Sequence, residues 1–193
     1  MARLSQMLRR KSTEGGLIRT ARLVLRPLRE DDLFDIARLA GDWAIASMTA
    51  RIPYPYTPDD ARQWLYGLEE GEFVRAMTMA DEGQLLGITG YLPSEEGRVA
   101  EIGYWVGKPY WGRGIATEAA HALVEHCFAR AGFEKLTCCH FADNPGSARV
   151  IEKLGFKSTG SCSCWCEARR IEAPAEHYEL LRGEWRKFKR RGV

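Results

Sequence analysis

The chain has 193 residues, enough for one domain with a substantial core. Hydrophobic residues make up 45% and charged residues 28%, which excludes a disordered chain and fits a soluble globular one. A formal charge of +2, with no basic stripe broken by aromatics and no apolar run near the roughly 18–20 residues of a membrane span, argues against nucleic-acid and membrane partners.

Residues 1–16 carry Arg3, Arg9, Arg10 and Lys11 against one acid, Glu14. They read as a mobile extension before the fold, with an Arg-rich transit peptide as the alternative. A single domain is expected over 17–185, followed by a basic, solvated tail at 186–193. Residues 22–28 alternate and predict the first strand. Glu30-Asp31-Asp32 then opens a helix, acids being favoured in the first turn, with Leu33, Ile36, Ala37 and Ala40 as its buried stripe. Residues 43–56 are irregular and aromatic, either a packed loop or a wall of a substrate pocket. Thr57-Pro58-Asp59-Asp60 starts the next helix with a capping threonine and a proline in the first turn.

Residues 73–79 and 85–92 predict a hairpin through Asp81-Glu82-Gly83. The central strand follows at 100–106, and Gly107 and Pro109 end it. Gly112-Arg113-Gly114 turns the chain into a helix over 115–130, closed by Gly132. A strand at 135–141 lies parallel to the central one after a right-handed crossover. Asn144-Pro145 begins a short helix that ends at Gly155, and strands at 157–167 and 175–181 complete the pattern. Periodicity alone gives an α/β or α+β domain.

A glycine turn that opens a helix points several backbone N–H groups at one place, with the positive end of the helix dipole behind them. Arg113 adds a full charge there. The stretch is therefore a phosphate or pyrophosphate site, with a purely structural turn as the alternative. A dinucleotide fingerprint fails because Thr117 stands where a third small residue is needed, and the Lys-Ser/Thr of a Walker A loop is absent.

Six cysteines are present, expected to be reduced thiols in a cytoplasmic protein. Cys162, Cys164 and Cys166 alternate on one strand and would share a face. Zinc sites usually pair Cys-x₂₋₄-Cys with a second pair, which is lacking, so no metal is expected. Cys138 and Cys139 are adjacent on a strand and point to opposite faces. His121 and His126 are expected to face solvent.

Trp111-Gly-Arg-Gly-Ile-Ala116 resembles the acetyl-CoA loop of the GNAT N-acetyltransferases, with Trp111 in place of the usual Gln or Arg. The preceding Ile-Gly-Tyr-Trp, the segment from Asn144 and Ser147 to Glu-Lys153-Leu-Gly155-Phe156, and Thr20-Ala-Arg22-Leu23-Val-Leu25-Arg26-Pro27 resemble the RimJ/RimL-like branch, covering about residues 20–185. The resemblance implies a mixed α/β fold: a mostly antiparallel, twisted sheet of about seven strands with one splayed parallel pair, and about four helices. It also implies acetyl-CoA as co-substrate. Backbone near Trp105 and Val106 would hold the pantetheine arm, and Gly112, Arg113, Gly114, Ile115, Ala116 and Thr117 the pyrophosphate.

Acetyl transfer to an amine needs a base, because an amine of pKa near 10 is protonated at neutral pH. Glu101 is the candidate base by resemblance, or else a strand residue paired with an arginine. The acid tyrosine of many GNAT enzymes is replaced by Ile151; the resemblance to RimL-like enzymes implies Ser147 in that role, its hydroxyl hydrogen-bonding the CoA sulfur, with a plain helix-start serine as the alternative. Asn144 is a cofactor contact, a helix cap, or both. The expected reaction is direct attack in a ternary complex. The acceptor is a primary amine, either a protein N-terminus or a small molecule such as an antibiotic. A non-catalytic acyl-CoA sensor or scaffold is the alternative, and either a monomer or a homodimer is compatible.

Overall fold

Along the central strand, Ala100, Ile102 and Tyr104 alternate with Glu101, Gly103 and Trp105, so each set lies on its own face of the sheet. The computed structural model describes residues 16–190 and builds both faces around this strand. Residues 1–15 of the expected extension and the last three residues of the expected tail lie outside the described residues.

Eight strands form one sheet: β1 (Ile18–Arg19), β2 (Leu23–Arg26), β3 (Phe73–Met79), β4 (Leu85–Pro93), β5 (Val99–Val106), β6 (Lys135–Phe141), β7 (Lys157–Cys166) and β8 (Ile171–Leu181). Their order is β1-β2-β3-β4-β5-β6-β8-β7. Every pair is antiparallel except β5–β6. Six α-helices accompany them among the described residues: α1 (Leu33–Ala40), α2 (Trp43–Ala46), α3 (Pro58–Tyr66), α4 (Ile115–His126), α5 (Pro145–Lys153) and α6 (Arg182–Arg190). The mixed architecture is as expected, with one short strand and two helices more than the sequence suggested. The added strand, β1, has two residues and carries no periodic signal.

One face of the sheet packs Ala100, Ile102, Leu136 and Leu180 against Leu123 and Val124 of α4, Ile151 of α5 and Leu154 just after it. The other face packs Val74, Ala76 and Ile88 against Ile36 and Leu39 of α1 and Ala61 and Leu65 of α3. Thr57 caps α3 in a reciprocal capping box with Asp60. Pro174 hid the start of β8, since proline ends most strands. Pairing with β6 stops at Phe141↔Ala175, so the missing N–H of Pro174 falls where no β6 partner is waiting.

The expected basic tail is, as far as Arg190, the helix α6. Its Trp185 is 2% exposed. The indole donates to Glu125 Oε2 at 2.8 Å, and Lys189 pairs with the same carboxylate at 2.9 Å. Phe188 closes over Gly155 at the end of α5, where a Cβ would stand 3.1 Å from the ring. No helix is long and apolar enough to cross a membrane among the described residues. Trp185→Ala should cost about 3–5 kcal/mol through the cavity it leaves. Chemical denaturation checks this, and an unchanged midpoint would place α6 outside the cooperative unit.

Candidate active site

Backbone pairing between β5 and β6 covers only Val99↔Lys135, Ala100↔Leu136 and Glu101↔Thr137. Beyond Glu101 the two strands part, β5 staying with β4 and β6 with β8. The gap is a wedge open toward the C-terminal ends of two parallel strands, where open α/β sheets bind ligands. The carbonyls of Gly103 and Trp105 face β4: Thr89 Oγ1 donates to the first at 3.1 Å, and a Cβ on Gly87 would strike the second. Alternation then turns the backbone of Tyr104 and Val106 toward the wedge. Of the two expected strand contacts, the backbone of Val106 faces the gap and the carbonyl of Trp105 faces β4.

At the mouth of the wedge, Trp111 Nε1 donates to the Val106 carbonyl at 2.6 Å. Gly112 and Gly114 both take left-handed backbone, φ 74° and 75°, which side chains disfavour. The first hydrogen bond of α4 runs from Glu118 N–H to the Gly114 carbonyl at 3.0 Å, and no side chain caps the helix. The N–H groups of Ile115, Ala116 and Thr117 therefore precede the helical ladder, with the dipole's positive end behind them. Exposed Arg113 stands beside them. These uncapped donors fit the pyrophosphate of a coenzyme.

Asn144 caps α5, its Oδ1 accepting from Ser147 N–H at 3.1 Å. This presents Ser147 to the sheet, where its Oγ lies 3.0 Å from the Tyr104 hydroxyl. Burial pushes the Tyr104 phenol well above its ordinary value, only partly offset by the bond to Ser147, so it remains a proton carrier at neutral pH. Sequence reasoning missed Tyr104, because its partner is 43 residues away. Ile151, at the usual tyrosine position, is core. His140 was also overlooked: it is buried on β6, with Nδ1 2.8 Å from the Phe141 carbonyl and Nε2 3.2 Å from the Tyr178 hydroxyl.

Glu101 is exposed on the opposite face from Tyr104, at the point where the strands part. Among the described residues none of the ion pairs involves it, so the arginine-paired alternative finds no support there. Beside it, a Cβ on Gly103 would meet nothing within 4 Å, which marks open space over the strand. The aromatic segment spans this face. Lys108, just after β5, reaches Asp42 at 3.8 Å, while Ala50 accepts from Glu167 N–H at 2.9 Å at the far end of β7. Trp43 and Tyr54 stand edge to face at 5.0 Å, each about half exposed.

The three alternating cysteines do share a face. Cys162 and Cys164 sulfurs are 3.9 Å apart, and Cys166 is buried against the Ser47 and Thr49 carbonyls at 3.6 Å each. All are free thiols. Burial, with the Glu101 charge adding to it, pushes the Cys139 thiol up to about 12. No group of three or more His, Cys, Asp or Glu is placed to hold a metal ion among the described residues.

The two helix histidines are half-buried rather than open to solvent. His126 stacks on Phe73 at 4.8 Å, and His121 leans on Trp185 at 4.8 Å. Burial pulls both imidazoles below their ordinary value. A lowered histidine contributes stability that is complete above the unfolded value of about 6.5 and is lost as pH falls below it. Carboxyls act lower. Burial raises Glu125, but hydrogen bonds from Trp185 and Lys189 outweigh it and leave it below the usual value, so its contribution goes as pH falls below about 4. Melting temperature should therefore fall in two stages on acidification. The double variant His121→Gln, His126→Gln should flatten only the upper stage, and an unaltered pH profile would contradict this assignment.

The sequence profile of the acetyltransferase (GNAT) domain matches residues 22–157. YdaF of Bacillus subtilis (strain 168), whose name provisionally assigns it to ribosomal N-acetylation, is 30% identical over 131 residues, 66% of this chain and 68% of its own length. The ribosomal-protein-serine acetyltransferase of Escherichia coli (strain K12) is 28% identical over 102 residues, 51% of this chain and 57% of that protein. Among solved structures, a GNAT-family acetyltransferase from Bacillus anthracis superposes with a TM-score of 0.78 at 21% identity, covering 87% of this chain and 99% of its own. RimL, a ribosomal L7/L12 alpha-N-protein acetyltransferase, gives 0.72 at 18% identity, with 86% and 93% covered.

Proposed function

Since the chain belongs to the GNAT acetyltransferase family and is an acetyl-CoA-dependent acetyltransferase, we propose that it acetylates the α-amine at a protein N-terminus. The observation that carries the catalytic reading is the wedge, which opens beyond Glu101 and has a proton donor on one face and a carboxylate on the other. The ribosomal-protein names of the relatives support a protein acceptor.

The co-substrate supplies the thioester that the amine attacks. Val106 and Tyr104 offer backbone groups along the wedge, and the amides of Gly112 to Thr117, with Arg113, hold the pyrophosphate. Asn144 fixes the start of α5 and adds a polar contact beside it. Glu101 takes the proton of the acceptor ammonium, directly or through a water in the open space over Gly103. Ser147 hands its Oγ proton to the leaving sulfur and is reprotonated by the proton that the newly acetylated nitrogen loses, through the Tyr104 hydroxyl that hydrogen-bonds that oxygen. Base and acid thus act from opposite faces of one sheet, and neither has to cross the cleft. Trp43 and Tyr54, on the Glu101 face, wall the acceptor side.

Calorimetry with acetyl-CoA, followed by CoA release with a panel of N-terminal peptides and small amines, tests the reading. Peptide turnover is the expected result, and turnover of small amines alone would overturn the protein-acceptor assignment. Glu101→Gln should lower kcat by about 10²–10⁴-fold, and Ser147→Ala by about 10²-fold. In both variants the Kd for acetyl-CoA should change little. Rates near wild type would remove these two roles.

A further inference from the structure

Arg22 precedes β2 and is 96 residues from Glu118 in the first turn of α4, yet the two form the most heavily bonded polar contact near the cofactor turn. Glu118 Oε1 accepts from the Arg22 backbone N–H at 2.9 Å and from the Thr20 hydroxyl at 2.6 Å. Its Oε2 accepts from Arg22 Nε and Nη2, both at 2.7 Å. The remaining guanidinium nitrogen, Nη1, donates to the Arg113 carbonyl at 3.0 Å. One planar fork therefore grips the carboxylate and the peptide between the two left-handed glycines at once, which a lysine ammonium on its flexible stem matches poorly.

Stability does not account for this arrangement. The side chains are 48% and 19% exposed, and exposed ion pairs contribute about 0–1 kcal/mol. Orientation accounts for it better. In a trans peptide, C=O and N–H point opposite ways, so a carbonyl of Arg113 drawn toward β2 turns the Gly114 N–H away from β2 and outward at the helix start. Charge provides the second reason. Glu118 lies in the turn that would meet a pyrophosphate and, uncompensated, would repel it. Burial raises the Glu118 carboxyl, but hydrogen bonds from Thr20 and Arg22 outweigh it and keep it below its usual value, so it is ionised at neutral pH. Arg22 lies 3.5 Å from where a Gly114 Cβ would stand, close enough to neutralise that charge at the turn itself.

We infer that Arg22 is the positioning residue of the coenzyme site: it aims the Gly114 amide and cancels Glu118, so that the turn accepts the pyrophosphate of a coenzyme A thioester. The inference rests on the acetyl-CoA reading of the turn. Calorimetric Kd values for CoA are compared across wild type, Arg22→Met, Arg22→Lys and the double variant Arg22→Met, Glu118→Gln, with amide hydrogen exchange at Gly114 and Ile115 measured in the unliganded proteins. Arg22→Met should weaken CoA by about tenfold or more and raise the KM for acetyl-CoA, with kcat at saturation unchanged. Arg22→Lys keeps the charge and loses the fork, so it should fall between wild type and Arg22→Met. The double variant should recover only the part due to charge. Exchange at Gly114 should change in every Arg22 variant. CoA affinities within twofold of wild type would overturn the inference and leave the acetyl-CoA reading standing. Failure of the wild-type protein to bind CoA would remove both.

Discussion

Three residue pairs hold β5 to β6, and the functional geometry follows from the place where they stop. A parallel pair requires a crossover, here α4, and a right-handed crossover brings the start of the helix to the C-terminal end of β5. Strand divergence and uncapped helix amides therefore meet at one site. Beyond Glu101 the strand edges carry backbone groups that have lost their ladder partners, and buried groups of this kind must be satisfied. The protein meets part of that demand itself: Trp111 covers the Val106 carbonyl. A thin amide-bearing chain laid along the wedge would meet the rest, which is why a splayed sheet suits a pantetheine arm.

In the mechanism proposed above, the same divergence separates two proton transfers that would interfere if placed side by side. Tyr104 and Ser147 lie on the face covered by α4 and α5, where burial favours neutral, proton-bearing groups. Glu101 lies on the other face, exposed beside the space over Gly103. Alternation along a single strand, three residues apart, is enough to give the two groups opposite environments.

What the sequence revealed was local. The glycine turn, the Asn144 cap, the hairpin at Asp81-Glu82-Gly83 and the alternation along β5 each depend on neighbours in the chain, and each appears in the structure where residue type placed it. The missed features join distant residues: Tyr104 with Ser147, Arg22 with Glu118, Trp185 with Glu125. No periodicity encodes such pairs. The histidines were misplaced for a related reason. A surface helix has one buried stripe, but α4 is also covered by Trp185 of α6 and Phe73 of β3, so positions that look outward on a helical wheel are half-buried. The basic residues after Trp185 concealed a helix because only Trp185 and Phe188 mark its buried side.

Cys139 bears on the choice between direct attack and a covalent relay. It lies on β6 two residues past the last position paired with β5, near Glu101. A thiol is nucleophilic as its thiolate. Burial and the neighbouring carboxylate push Cys139 up to about 12, so the thiol form predominates at neutral pH. The groups that raise it are Glu101, Cys162 and Cys164, and its cross-strand partner on β8 is His177. The Glu101 carboxylate, the base of the mechanism proposed above, therefore also helps keep the nearby thiol protonated. This favours a single transfer, from thioester to amine, in a ternary complex.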